Sequence, residues 1–176
     1  MSGIAELGVA KRLAMIVVIG AVGFVALTVI GTVGQRGLAE TAEQVRRLTA
    51  GQAALNHLDT RQSELKVDAY RSALGQDVSC DVVDDVASAE EAVDAVRAAN
   101  LPADLAADFD AIRPDVAQSG TFISDFVRAA GGDRNAVVSR LPEIAERNNA
   151  VDDQLGALNE RVGAADRRGD RRAVAW

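Results

Sequence analysis

The stretch VVSRLPEIAERNNAVDDQLGALNERVGAA, residues 137–165, decides the fold. Val137, Leu141, Ile144, Asn148, Val151, Leu155, Leu158, Val162 and Ala165 follow one another by alternate steps of four and three. That rhythm keeps one side of an α-helix turned toward partner helices; a strand alternates every second residue instead. A seam of this kind belongs to a left-handed helical bundle. Asn148 is its one polar step. It is either a buried group that sets the register or a neighbour of a water-filled gap.

Working outward, three more segments carry helical spacing. From about Gly37 to Leu74, Leu38, Val45, Leu48, Leu55, Leu58, Leu65 and Ala69 form a stripe, with Gln52 and Gln62 at the missing steps. Gly75 to Ser79 break it. From about Cys80 to Ala99 the stripe is Val82, Val86, Ala89, Val93 and Val96. After Asn100-Leu101-Pro102 comes a third, from Leu105 through Phe109, Ile112, Val116, Ile123 and Phe126 to Ala130. Pro102 suits the first turn of that helix, and Pro114 is expected to kink it. Gly131-Gly132 stop it, and Asp133 is placed to cap the helix that follows. Four amphipathic helices on short connections bury their stripes most simply as an antiparallel up-down-up-down bundle, so the class is all-α.

Upstream lies LAMIVVIGAVGFVALTVIGTVG, residues 13–34, without a charge. Its 22 residues make a helix of about 33 Å, against a hydrocarbon core of about 30 Å. It exceeds a signal-peptide core and lacks an Ala-x-Ala cleavage site. We expect an uncleaved transmembrane helix. Lys11 and Arg12 precede it, and beyond it Arg36 is the only base before Arg46. The positive-inside rule then makes residues 1–12 a cytoplasmic N-terminus and residues 35–165 an extracytoplasmic bundle. The expected localisation is the cell membrane, with a single pass. No proline or flexible linker follows the span, so it is expected to continue into the first bundle helix.

Residues 166–176 hold Arg167, Arg168, Arg171 and Arg172 after the seam has ended at Ala165. This basic tail either meets anionic headgroups or is the truncated or out-of-frame end of a longer chain; the second reading is preferred, because the Arg pairs share no helical face.

Beyond residue 34 the chain has 17 basic and 25 acidic residues, a net of −8. Phosphate binding needs a basic face, so nucleic acid is not an expected partner. Cys80 is the only cysteine. It excludes an internal disulfide and reads as a small residue near a helix start, with a symmetric intermolecular bridge as the alternative. His57 is a lone histidine between Leu55 and Leu58, best read as a boundary residue. No metal set, phosphate loop or nucleophile motif is present, so no cofactor, metal or enzymatic activity is expected. Asp84-Asp85 and Glu90-Glu91 point about 100° apart on a helix and read as solvated faces.

The densest mixed-charge patch is Arg61, Glu64, Lys66, Asp68 and Arg71. Its plainer reading is a salt-laced surface. Its functional reading is that Arg61 or Arg71 offers a fork to a small anionic ligand.

Around this patch, LDTRQSELKVDAYRSAL (58–74), with LPADLAADFDAI (101–112) and NNAVDDQLGALNERVGAA (148–165), resembles the four-helix-bundle sensory domain of bacterial methyl-accepting chemotaxis proteins. The resemblance spans roughly residues 10–165. It implies an extracytoplasmic ligand-sensing module that dimerises chiefly through its first helix, here around Leu48, Leu55, Gln62 and Leu65. It also implies a second span, a linker and a signalling coiled coil, which this sequence lacks. The alternatives are the input domain of a membrane histidine kinase or cyclic-dinucleotide enzyme, and a membrane-anchored helical protein that only oligomerises.

Overall fold

The structure is a computed structural model that describes residues 9–174. The side chains of residues 9–14, 16, 19, 25–36 and 169–174 lie outside that description. The elements are α1 (Val9–Ala73), α2 (Ser79–Ala98), α3 (Ala103–Gly132), α4 (Arg134–Val138) and α5 (Leu141–Val174). Among the described residues there is no strand, so the chain is all-α.

The chain divides into two units, Met1–Glu43 and Gln44–Trp176. In the first, the backbone from Val9 onward is helical, and the described side chains Val17, Val22 and Phe24 are exposed. Among the described residues no helix is long and apolar enough to cross a membrane. The expected span, residues 13–34, lies in α1, but most of its side chains fall outside the described residues.

The second unit holds two apolar clusters. One gathers Leu48, Leu55 and Leu58 of α1, Val96 of α2, Leu105 and Phe109 of α3, and Leu155 and Val162 of α5. The other gathers Leu65 and Ala69 of α1, Val82 of α2, Ile123 and Phe126 of α3, and Ile144 of α5. Each long helix contributes to both clusters, and the order reverses from one helix to the next along the chain. Leu48, Leu58, Leu65, Phe126 and Val162 are wholly enclosed. Val137, Ile144, Val151, Leu155 and Leu158 of the quoted seam are buried too, as its spacing requires.

Local chemistry sets the ends. α1 stops where Gly75 takes φ +91°. Its N–H donates to the Ser72 carbonyl at 2.9 Å, and the Gln76 N–H donates to the Arg71 carbonyl at 3.0 Å. This pair of bonds is a Schellman closure, which needs a left-handed residue where glycine sits. Asp77 starts α2 by accepting from the Ser79 N–H at 3.1 Å and the Ser79 hydroxyl at 2.7 Å. Those bonds hold the Asp77 carboxyl below its ordinary pKa. Pro102 sits one residue before α3 as its cap, not inside its first turn. Pro114 lies within α3, which is helical on both sides of it.

Two expectations need correction. The fourth segment is not one helix from Asp133. Asp133 does cap a helix, accepting from the Asn135 and Ala136 N–H groups at 3.0 and 3.4 Å, but that helix is the short α4. Pro142 explains the division. It has no N–H for the carbonyl four residues back, Val138, and its ring crowds that carbonyl. α4 therefore ends at Val138, and Pro142 is tolerated in the opening turn of α5. At the other end α5 continues to Val174, past Ala165 where the seam was expected to close the helix.

Candidate functional site

Arg61 and Arg71 sit on α1 over the start of α2. Arg61 pairs with Glu64 one turn on, and its Nη1 lies 3.5 Å from Asp85. The Arg71 Nη1 donates to Asp68 at 2.8 Å and to Asp81 at 2.9 Å, while its Nε donates to Gln76 at 2.8 Å. Asp68 is only 3% exposed. Burial pushes its carboxyl above the ordinary pKa, Arg71 opposes the shift, and the neighbouring Asp85 carboxyl adds to it. The surrounding shallow pocket is lined by Glu64, Asp68, Asp81, Asp84 and Asp85 against these two arginines. Both guanidinium forks thus already hold carboxylates of the chain itself. A free anion would compete with them inside a field of five negative groups, so this arrangement favours tying α1 to α2 over capturing an anion.

The four residues assigned to a dimer interface, Leu48, Leu55, Gln62 and Leu65, are all buried within the single chain. Leu48, Leu55 and Leu65 pack there against residues of α2, α3 and α5. His57 and Cys80 are exposed. Among the described residues no group of side chains is arranged to hold a metal.

A different feature lies between the two apolar clusters. Gln62 of α1, Asn148 of α5 and Ser119 of α3 are buried there, next to Gly120. With the Asn148 amide assigned so that both of its ends are satisfied, its nitrogen donates to the Gln62 backbone carbonyl at 3.2 Å and its oxygen accepts from Lys66 Nζ at 3.1 Å. Asn148 is therefore a buried, partnered group. The side-chain nitrogen of Gln62 is buried with no hydrogen-bond partner. Burying an amide N–H without an acceptor costs about 1–3 kcal/mol, so this layer is a costly part of the core.

Gln62 and Leu65 also line the floor of a groove of about 720 Å³ between α2 and α3. Small residues leave it room: Ala89 on α2, Ala117 and Gly120 on α3, where a Cβ on Gly120 would lie 3.7 Å from Val86. Pro114, on the α3 wall, has no N–H to give the Asp110 carbonyl. The rim carries Glu90, Asp94, Asp110 and Asp125 against Arg113 and Arg128. Arg113 is held by Asp110 at 2.9 Å and Arg128 by Asp125 at 2.7 Å. Asp94 has only a loose contact with Arg97 at 3.8 Å, and among the described residues no ion pair reaches Glu90. Gln62 was read as a polar step in a seam and as a dimer contact, and Ala89 as part of the α2 stripe; Ala117 and Gly120 leave no periodic trace.

A second polar contact joins α1 to α5. Asp59 and Asp152 share a shallow pocket with Asn56 and Asn159, whose amides bond at 2.7 Å. Burial first, then the hydrogen bond and charge of Asp152, push Asp59 up to about 6; Lys66 acts against them.

Compared with protein families, characterised proteins and solved structures, the chain matches none.

Proposed function

We propose that this chain is a membrane-anchored, ligand-sensing module of the chemoreceptor type. Residues 13–34 form a single transmembrane helix, and an antiparallel up-down-up-down four-helix bundle stands on the extracytoplasmic side. The observation that carries the reading is α1. It takes the uncharged 22-residue run and the first bundle helix into one uninterrupted helical element, Val9–Ala73. A bundle helix that continues from a span is suited to pass a displacement between ligand and membrane. The reversing order in which the helices meet the two apolar clusters supports the up-down-up-down topology. The polar layer supports a sensing role, because a buried layer that is not fully hydrogen-bonded is costly to keep and gives a rearrangement something to relieve.

Pairing with a second copy belongs to the same proposal. It uses the face of α1 that the bundle leaves open, where Val67 is half exposed.

The test is a chimera. Residues 1–165 replace the corresponding region of a bacterial chemoreceptor, as the sole receptor in the cell, and swimming bias is followed across a panel of small solutes. A ligand-dependent change that disappears when the bundle is deleted supports the reading. A chimera that reaches the membrane, folds as a helical bundle and leaves swimming bias constant across the panel rejects it.

A further inference from the structure

We propose that the contact between α1 and α5 is a proton-operated latch: Asp59 and Asp152 hold the helices together by sharing a proton and push them apart when it is lost. The latch itself needs no signalling partner; only the use made of its movement rests on the sensory reading.

On two sides α1 sets a carboxyl group against one from a neighbouring helix, and the two contacts are built differently. Toward α2, Asp68 faces Asp85. Arginines attend that pair. Arg71 bridges Asp68 to Asp81, and Arg61 lies 3.5 Å from Asp85. The bond from Arg71 to Asp81 keeps an ionic tie to α2 whether or not Asp68 carries a proton. Toward α5, the half-buried Asp59 meets Asp152 within hydrogen-bond reach. Asp153 and Glu160 of α5 line the same shallow pocket, which no arginine or lysine lines and to which α2 and α3 bring no charged group. Lys66, two turns further along α1, acts on Asp59 in the opposite sense, but its ammonium is already given to the Asn148 amide oxygen at 3.1 Å.

An ionised carboxylate has acceptors only. Two of them in contact with no cation between them repel, whereas one proton turns the same contact into an O–H···O bond. Burial first, and then Asp152, carry the Asp59 carboxyl up to about 6, so the change falls between mildly acid and neutral surroundings. Above that range the polar tie beside the pair is the uncharged bond between Asn56 and Asn159 at 2.7 Å. The apolar seam of α5 and the Asn148 bonds to α1 persist, so the response is a local change of spacing and not a release of the helix. It occurs on α1, the helix that the sensory reading carries into the membrane, and it makes the proton itself a stimulus.

The full chain in detergent, with Cys80→Ser, is spin-labelled at exposed positions. Thr60→Cys with Ala150→Cys spans α1 and α5, and Thr60→Cys with Ala87→Cys spans α1 and α2. Distances are compared at about pH 5 and about pH 7.5, on either side of the Asp59 midpoint. The α1–α5 distance should lengthen or broaden at the higher pH, and the α1–α2 distance should hold. Asp152→Asn changes an exposed residue and gives Asp59 an amide donor at every pH. It should keep the acid-form distance at both pH values. It should also lower the midpoint of the Asp59 carboxyl carbon signal from about 6 toward the ordinary 3.8. An α1–α5 distance that ignores pH overturns the proposal. So does an Asp59 midpoint at the ordinary value, a pH response that Asp152→Asn leaves intact, or equal lengthening in both label pairs, which marks a general loosening of the bundle. The chimera can stay silent to every solute while the latch titrates, and can respond while these distances stay fixed, so the two readings fail separately.

Discussion

Gly75 closes α1 in a backbone conformation that a side chain resists. At φ +91° a Cβ crowds the adjoining carbonyl, and it would also meet the guanidinium of Arg134. Gly75→Ala should lower stability by about 1 kcal/mol, read as a shift of the urea midpoint with an unchanged slope. Asp59 gives a residue-scale prediction of another kind. Its carboxyl rises from an ordinary 3.8 to about 6. The folded chain therefore holds a proton there that the unfolded chain has lost. That contribution is full below about pH 4, falls as pH rises, and is gone above about 6. Asp152 and Lys66 are the charges that act on it. Asp59→Asn should raise stability at pH 7.5 more than at pH 4 and flatten the dependence between them, followed by thermal unfolding in matched buffers. A wild-type stability that climbs from pH 4 to 7.5 with an unchanged slope in the variant would contradict the assignment. Asp59 gave no sign of this in the sequence, because its partner lies far along the chain on α5.

The helices themselves were legible, since spacing by threes and fours is a local property of the chain. Val82, Val96, Phe109, Ile123 and Leu155 all face inward as their spacing requires. Phe126 is wholly buried in the second apolar cluster, beside Phe122 at 6.2 Å between ring centres. Phe126→Ala should cost about 3–5 kcal/mol, and the amides of the facing stretch of α1, around Leu65 and Ala69, should lose hydrogen-exchange protection with it. What misled the reading was rhythm without covalent detail. Val137 and Leu141 keep the step of four, yet Pro142 divides them between α4 and α5. Which helices a seam would face was also invisible: Leu48 and Leu65 read equally well as contacts to a second copy. Asn148 joins α5 to α1 through the Gln62 carbonyl and Lys66. Asn148→Ala should therefore destabilise by about 1–3 kcal/mol, measured by urea unfolding. A change under a few tenths of that would mean the polar layer is filled by water without loss.

At the scale of the whole molecule, the proposal rests on which side of a membrane the bundle occupies. The argument is electrostatic. Lys11 and Arg12 stand immediately before the uncharged run, whereas the chain beyond it carries a net of −8. Basic residues flanking a span are retained in the cytoplasm, and on that rule the proposal puts the bundle outside. Cys80 reports the result directly. It is the only thiol in the chain, it lies at the start of α2, and it is exposed. A membrane-impermeant maleimide added to intact cells expressing the chain should label it, and Cys80→Ser should abolish the signal. The label should also survive washing with carbonate, because a chain held by a span stays with the membrane fraction where a peripheral one is released. Labelling that appears only after lysis places the bundle inside the cell and removes the basis for reading it as a sensor of external solutes. Labelling in intact cells with loss of the chain on washing removes the span instead, and leaves the helical bundle to be explained without an anchor.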